Sequence, residues 1–324
     1  MEILYKTDLG RAYWGDSLEL MKSLCPESVD LVMTSPPFAL RKKKSYGNVS
    51  ASEYGDWFQP FADAIWRVLK PTGSFVIDIG GSWNRGEPTR SLYHYDLLLR
   101  LCTPRGRFRL AQEFFWFNPA KMPSPAQWVT IKRVRVKDAV NTLWWLSKTN
   151  SPKADNTRIL KPYTRAMEDL LARGYNAGQR PSGHVVSQKW SRRHVGAIPP
   201  NLITAANTRS TDDYLRGCRK HGLPVHPARF VPEIPKLFVA FLTEPGDLVL
   251  DPFAGSNVVG QVAEKLGRKW LSADVSKPFV VGSAFRFGAD GEEIAIAHVL
   301  AERWRDEVSA PSGGALQGRK VSAS

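Results

Sequence analysis

The sequence predicts an α/β protein built on a mostly parallel β-sheet. Short apolar segments rich in β-branched residues recur along the chain, and amphipathic helical segments alternate with them. Several of the strand-like segments also end directly in turns of Pro, Gly, Ser or Asp. The 324 residues are enough for one large domain or two small ones, with a sizeable core.

The composition indicates a basic protein with a polyanionic partner. There are 45 basic and 31 acidic residues, a formal net charge of +14, so we expect nucleic acid as the partner. The three widely spaced cysteines indicate a reducing compartment without disulfides, and no Cys or His spacing suits a metal. The sequence has neither a signal-peptide pattern nor an apolar run that could span a bilayer, which predicts a soluble cytoplasmic protein. We expect a monomer or weak dimer.

Strands and helices alternate in the amino-terminal half. Strands are predicted at residues 12–14, 29–33, 74–79, 114–117 and 140–146. Helices are predicted at residues 18–24, 52–69 and 90–101. Asp16 or Ser17 suits the cap of the first helix and Ser52 the cap of the second. Residues 70–73, Lys-Pro-Thr-Gly, predict a break after the second helix.

The composition changes near residue 150. Residues 151–224 are basic, rich in Gly, Pro, Ser and Asn, and predict one clear helix, at 165–172. We interpret them as a smaller nucleic-acid-facing region, with a disordered linker as the alternative. The remaining strands are predicted at 247–250 and 268–273, and the remaining helices at 235–242, 257–266 and from 278. The predicted units are residues 1–150, 151–224, 225–309 and a disordered tail, 310–324.

The strand at residues 29–33 runs into Thr34-Ser35-Pro36-Pro37-Phe38. Each proline fixes its own φ and keeps the preceding residue out of the helical region. Ser35 and Pro36 are therefore expected in a stiff turn at the carboxyl end of a strand, where open α/β sheets bind ligands. The serine oxygen and the proline carbonyl could accept hydrogen bonds from a planar amine, and the Phe38 ring could stack on its base. The alternative interpretation of this motif is a turn that only ends the strand.

A second motif, Asp251-Pro252-Phe253-Ala254-Gly255-Ser256-Asn257, lies between a predicted strand and a predicted helix, and the next strand ends at Asp274. A glycine turn lets the backbone approach a ligand at a helix amino terminus. A carboxylate at the next strand tip can accept hydrogen bonds from ribose hydroxyls, although a helix cap is the alternative for Asp274. The pattern predicts a nucleoside site and, without Gly-Lys-Ser/Thr, excludes a P-loop.

Together the two motifs resemble those of the amino-directed DNA methyltransferases, which use S-adenosylmethionine. The catalytic motif comes first and His226-Pro227-Ala228-Arg229-Phe230 precedes the cofactor motif, as in the circularly permuted beta group. The resemblance covers nearly all of the chain except the tail. It implies a Rossmann-like methyltransferase sheet, circularly permuted, with an inserted target-recognition region and double-stranded DNA as the partner.

The resemblance also implies residue roles. Serine before the two prolines usually marks methylation of cytosine N4 in this family, whereas Asp or Asn there usually marks adenine N6. Ser35, Pro36, Pro37 and Phe38 would form the catalytic site. The implied cofactor-binding residues are Asp16, His226, Asp251, Phe253, Gly255, Ser256, Asn257 and Asp274. Asn257 departs from the glycine common in the family. A wider similarity, including Trp116 to Pro119 and Arg180 to His184, implies a restriction–modification enzyme with a CAGCTG target.

Two basic clusters predict DNA contacts. The first is Arg41, Lys42, Lys43 and Lys44, beside the catalytic motif; a solvated face is its alternative. The second comprises Arg180, His184, Lys189, Arg192 and Arg193. No Pro-Cys nucleophile is present, which argues against methylation of cytosine carbon 5. The alternatives to a cytosine-N4 enzyme are an adenine-N6 enzyme and a catalytically silent DNA-binding protein.

Overall fold

The computed structural model describes residues 1–39, 49–103, 106–174, 178–187, 192–208 and 210–309. Two predictions lie outside these residues: the DNA contacts of Arg41 to Lys44 and Lys189, and the disordered tail. No helix among the described residues combines the length and the hydropathy needed to cross a bilayer.

Most strands belong to one sheet. In chain order they are β1 Glu2–Lys6, β2 Gly10–Trp14, β3 Val29–Thr34, β4 Leu69–Ile79, β5 Ser82–Trp83, β6 Arg90–Ser91, β7 Arg109–Phe117, β8 Val140–Ser147, β9 Gly178–Gln179, β10 Val185–Val186, β11 Leu202–Thr204, β12 Leu248–Asp251 and β13 Lys269–Asp274. The nine-stranded sheet has the order β1-β2-β13-β12-β3-β4-β8-β7-β11. The hairpins β5–β6 and β9–β10 lie outside it.

Helices connect the strands and cover both faces of the sheet. They are α1 Ser17–Ser23, α2 Tyr54–Val68, α3 Tyr93–Cys102, α4 Arg165–Arg173, α5 Asp213–His221, α6 Glu233–Leu242, α7 Val258–Lys265, α8 Lys277–Ser283 and α9 Gly288–Ser309. Neighbouring residues of β3 belong to different apolar cores, since Leu31 shares one core with Phe238 of α6 whereas Val32 shares the other with Phe58 of α2. This burial on both faces explains why β3 is apolar along its whole length.

The strand directions bring the functional motifs to one edge. Strands β2, β13, β12, β3 and β4 are mutually parallel, so their carboxyl ends meet there. Strand β8 is antiparallel to β4 and β7 is antiparallel to β8, so the start of β8 and the end of β7 reach the same edge. The predicted mostly parallel α/β sheet is confirmed.

Several local predictions were wrong. Helix α2 does end at Val68, as predicted, but residues 70–73 continue directly into β4, where a register shift opposite Val29–Leu31 accommodates them. Helix α2 begins at Tyr54, with Glu53 rather than Ser52 at the cap position and no side-chain cap bond. Residues 90–101 divide into β6 and α3.

The 151–224 region also contains more regular structure than predicted. It has a second helix, α5, whose Tyr214 and Cys218 are part of the main core, and β11 pairs with β7 in the main sheet. Asp212 caps α5 and Gly222 ends it in the left-handed conformation. Strand β11 and helix α5 therefore pack with the main sheet and its core; the division at residue 225 stays a prediction.

Candidate active site

A cavity of about 870 Å³ opens at the carboxyl edge of the sheet. Its walls include the catalytic corner (residues 35–38) and most of the cofactor loop (residues 251–257). Asp16, His226 and Asp274 also line it. The size falls within the range of small-molecule sites, and the lining mixes aromatic rings with a few polar groups.

The two motifs converge because their strands are neighbours. Strand β3 pairs with β12 through Leu31–Val249 and Val32–Leu250. At the tips, the Thr34 hydroxyl donates a 2.6 Å hydrogen bond to Asp251 Oδ1, across 217 residues of sequence. The residue directly before Ser35 is thus fixed to the first residue of the cofactor loop.

The catalytic corner is backed by a buried carboxylate. The Ser35 hydroxyl donates to Asp78 Oδ2 at 3.2 Å, and Asn141 Nδ2 donates to Asp78 Oδ1 at 3.3 Å. Burial raises the pKa of Asp78 to about 7, against the lowering effects of the bonds from Ser35 and Asn141 and of the Lys121 charge. Near neutral pH this carboxylate can therefore gain or lose a proton while it is bonded to Ser35.

The Phe38 ring is held beside this pair. Pro36 is buried, whereas Ser35, Pro37 and Phe38 are half-buried and line the cavity. A Cβ at position 80 would lie 2.5 Å from a Phe38 ring carbon, so Gly80 makes room for the ring. The corner therefore combines a hydroxyl, a buried carboxylate and an aromatic ring.

The cofactor loop approaches Asp274 and His226 closely. The N–H groups of Gly255 and Ser276 each donate to the Asp274 carboxylate at 2.8 Å. Gly255 has a φ of 50°, and a Cβ there would lie 3.0 Å from the His226 ring. Burial raises the pKa of Asp274, opposed by the bonds from Ser276 and Gly255. Asp274 thus lines the cavity and fixes two turns; it is not a helix cap, because the cap position of α8 is Ser276.

Two residues of the loop face inward instead of lining the cavity. Asp251 is 3% exposed and accepts hydrogen bonds from Thr34 and from the Phe253 N–H. Asn257 is 1% exposed, caps α7 through the Gly260 N–H and donates to the Tyr5 hydroxyl at 2.9 Å. Its φ of 53° lies in the left-handed region, which glycine adopts most readily and asparagine tolerates better than most residues. This geometry explains why asparagine can stand where the family often has glycine.

The remaining predicted residues have mixed surroundings. The Asp16 carboxylate accepts from the Leu18 N–H at 2.9 Å, capping α1 at the cavity wall. The Phe253 ring packs on Phe61, with centroids 4.8 Å apart. Trp116 is 8% exposed, donates to the Ala205 carbonyl and also lines the cavity. It therefore belongs both to the core and to the cavity wall.

The described members of the second basic cluster lie away from the cavity wall. Arg180 and His184 form the turn of the β9–β10 hairpin, where the Arg180 N–H donates to the His184 carbonyl. Arg192 is exposed, and Arg193 forms a 2.9 Å ion pair with Glu168 of α4. Of these four residues, Arg180 is half-buried, whereas His184, Arg192 and Arg193 are exposed.

Sequence reasoning missed two supporting residues. Asp78 was interpreted only as part of a buried strand, although a single acidic residue in Phe-Val-Ile-Asp-Ile is the signal that could have identified it. Arg286 is 6% exposed, donates to both the carbonyl and the hydroxyl of Ser256, and lies 4.6 Å from the Tyr214 ring. The Tyr214 hydroxyl accepts from the His226 N–H, so Arg286 and Tyr214 support two walls of the cavity from behind.

Comparison with known families agrees with this geometry. A family model described as DNA methylase matches residues 29–284, which include the catalytic corner, most of the cavity lining and the cofactor loop. The chain belongs to this DNA methylase family. The family prediction is therefore confirmed.

Individual relatives narrow the comparison. The type II methyltransferase M.PvuII of Proteus hauseri is 49% identical over 286 residues, 87% of this chain and 85% of that protein. A solved structure named PvuII DNA methyltransferase, cytosine-N4-specific, superposes with a TM-score of 0.74 at 44% identity, covering 93% of this chain and 95% of that one. A putative DNA modification methylase of Thermus thermophilus, complexed with S-adenosyl-L-methionine, shares the fold, with a TM-score of 0.51 at 18% identity over 93% of this chain and 96% of that one.

Proposed function

We propose that this protein transfers a methyl group from S-adenosylmethionine to N4 of a cytosine flipped out of duplex DNA. The main support is that the Ser35–Asp78 pair and the Gly255–Asp274 pair line one cavity. The first pair suits an exocyclic amine and the second suits a nucleoside. The name cytosine-N4-specific, carried by a structure 44% identical to this chain, supports the choice of atom.

The cavity residues fit S-adenosylmethionine. Asp274 receives one N–H bond on each oxygen, which leaves lone pairs for ribose hydroxyls. The close approach of Gly255 to His226 makes a narrow slot that a larger residue would fill. We assign Asp16, Phe253, Ser256 and His226 to the cofactor walls, and Asp251 and Asn257 to holding the loop from behind.

The catalytic corner would hold the target amine. Since Asp78 accepts the Ser35 hydroxyl hydrogen, the lone pairs of Ser35 Oγ are left to accept one cytosine N–H, and the Pro36 carbonyl accepts the other. These bonds favour a pyramidal nitrogen with a free lone pair, while Phe38 stacks on the base. The base must leave the duplex stack to reach this position.

The chain also supplies a route for the proton. The bound cofactor would supply an activated methyl group, and positioning of the amine against it provides much of the rate. The amine loses a proton as the N–C bond forms. We assign its transfer to Ser35 Oγ, with the Ser35 proton passing to ionised Asp78, whose pKa of about 7 suits this exchange.

The partner in this proposal is duplex DNA, read by the basic region that includes Arg180, His184, Arg192 and Arg193. Arg41 to Lys44 and Lys189 are assigned to phosphate contacts by sequence alone. The target is CAGCTG, and the biological role is the modification half of a restriction–modification system. The 49% identity to a type II methyltransferase supports that role.

The decisive experiment is methyl transfer from radiolabelled S-adenosylmethionine to a CAGCTG duplex and to a duplex with that site scrambled. Digestion to nucleosides should yield labelled N4-methylcytosine from the first duplex only. Labelled N6-methyladenine would overturn the assigned atom, and labelling of the scrambled duplex would overturn the target. Absence of transfer to any duplex by the folded protein would overturn the proposed activity.

A further inference from the structure

The connection between β7 and β8 carries an unusual surface. Residues 119–137, the rim segment, contain five cations, Lys121, Lys132, Arg133, Arg135 and Lys137, and no acidic residue. All five side chains are exposed. The first acidic residue after the segment, Asp138, is paired with Arg90, so it does not cancel this charge.

The rim segment lies against the mouth of the cavity. Lys121 itself lines the cavity, and the Lys137 ammonium donates to the carbonyls of Pro119 and Lys121 at 3.1 and 3.3 Å. The Lys132 ammonium lies 4.8 Å from the centre of the Trp128 ring, and Trp128 is a lining residue. One of these three cations therefore lines the cavity, and the other two contact residues that line it.

The segment is folded, since several contacts hold it in place. Trp128 is 4% exposed, and its carbonyl accepts from the N–H groups of Val134 and Arg135 at 2.9 and 3.2 Å. Arg135 Nε donates to the Pro88 carbonyl in the β5–β6 hairpin at 3.0 Å. An ordered cationic surface loses less conformational entropy on binding than a flexible one.

Aliphatic side chains alternate with the cations on this surface. Ile131, Val134 and Val136 are 74%, 50% and 87% exposed, although the segment is anchored. A purely solvated charged face gives no reason for three exposed β-branched residues. Duplex DNA offers partners for both kinds of group, with phosphates for the cations and sugars and base edges for the aliphatic groups.

We propose that the rim segment is a second duplex-binding surface, which contacts the DNA backbone beside the flipped cytosine. The inference rests on the proposed DNA methylation and adds a partner contact separate from the 180–193 region. The cations beside the cavity hold the phosphates that flank the extruded nucleotide. The exposed aliphatic side chains cover the adjoining sugars or base edges.

The test compares two double variants of the full chain. Lys132→Ala/Arg133→Ala removes two rim cations. Lys6→Ala/Arg11→Ala removes two exposed cations that face each other across β1 and β2, at the far end of the sheet order from β7 and β8. Binding to fluorescent CAGCTG and scrambled duplexes is measured by anisotropy at several salt concentrations, without cofactor.

Each lost phosphate contact lowers the slope of log affinity against log salt by about 0.9. The rim variant should therefore lose about 1.8 from the slope on both duplexes, whereas the control variant keeps the wild-type slope. When the salt concentration rises from about 50 to about 200 mM, the affinity of wild type should therefore fall about 12-fold more than the affinity of the rim variant. Equal slopes for the rim and control variants would overturn the proposal.

Two further variants keep the test interpretable. If the double alanine variant unfolds at a lower temperature than wild type, Lys132→Gln/Arg133→Gln replaces it and should show the same slope change. Val136→Ala should lower affinity equally at all salt concentrations and leave the slope unchanged. Wild-type methyl transfer is assayed in parallel. Failed transfer with intact slope differences would reject the proposed activity alone, and normal transfer with equal slopes would reject the rim surface alone.

Discussion

The catalytic corner and the cofactor loop share a plan but use it differently. Each follows a parallel strand and is backed by an aspartate whose pKa burial raises to about 7. Asp78 lines the cavity and accepts the Ser35 hydroxyl, whereas Asp251 faces inward and accepts from Thr34 and the Phe253 N–H. The two carboxylates thus have similarly raised pKa values but different surroundings, because of the two only Asp78 lines the cavity and bonds to Ser35.

The largest expected effect follows from removing the hydroxyl at the catalytic corner. Ser35→Ala deletes an acceptor for the amine and the link to Asp78, so we expect kcat to fall by about 10²- to 10⁴-fold. The cofactor Kd, measured by calorimetry, should stay within about twofold, because the cofactor loop is untouched. Ser28→Ala, which removes an exposed hydroxyl bonded to the Cys25 carbonyl, is the control. Wild-type turnover by the Ser35 variant would exclude the assigned role.

The next effect separates the two buried aspartates. The reacting form needs ionised Asp78, so kcat should fall as pH drops through about 7, by about tenfold per pH unit below it. Asp78→Asn should lower kcat by about 10²-fold and abolish the decrease of kcat at low pH. Asp251→Asn should keep the decrease of kcat at low pH, although the Asp251 carboxyl has a pKa similar to that of Asp78. If the decrease of kcat at low pH disappears in the Asp251 variant and persists in the Asp78 variant, Asp251 and not Asp78 is the group that must be ionised.

A smaller effect is expected at the cofactor side. Asp274→Asn replaces an acceptor oxygen with an NH₂ group that cannot accept both N–H bonds or both ribose hydroxyls. We expect the cofactor Kd to rise by about 10- to 100-fold, as is typical for hydrogen bonds to charged groups. Turnover at saturating cofactor should change little. Asp8→Asn, an exposed substitution, is the control, and an unchanged Kd at position 274 would argue against ribose binding there.

The smallest effect concerns stability, where the two aspartates should behave alike. Each has a folded pKa of about 7, above the ordinary 3.8, so the folded state binds more protons within that window. Their contribution is fully present below pH 3.8 and is lost as the pH rises through about 7. Asp78→Asn and Asp251→Asn should each make the free energy of unfolding fall less steeply over this range, by at most about 1.4 kcal/mol per pH unit. Denaturant titrations at three pH values measure this dependence of the free energy of unfolding on pH. A variant with the wild-type dependence would contradict the raised pKa at that position.

The sequence carried the fold class and the family because both depend on local patterns. Strand β3 and the cofactor loop are continuous in sequence, and their proline and glycine turns are specific enough to recognise. The DNA methylase match confirms the family, while the circular permutation and the individual residue roles stay predictions. A contact such as Thr34–Asp251 follows only from the strand order, which short-range patterns do not encode.

The missed features depend on tertiary structure in the same way. Residues 70–73 resemble a helix-breaking loop, yet pairing between β3 and β4 absorbs them in a register shift. Helix α5 is short and polar, and packing of Tyr214, Leu215 and Cys218 into the core is what stabilises it. Arg286 has no local signal except its place between two phenylalanines, because its partners lie in the loop and in α5.

The strand order also constrains how this protein emerges from the ribosome. Strand β3 is synthesised early, but its neighbour β12 follows about two hundred residues later, and every residue of β3 is buried in the finished sheet. Until β12 arrives, the nascent chain holds an apolar strand with one open edge, the kind of surface that pairs with other chains. The sheet can therefore close only after β12 has been translated, and until then the open edge of β3 is available for pairing with other chains.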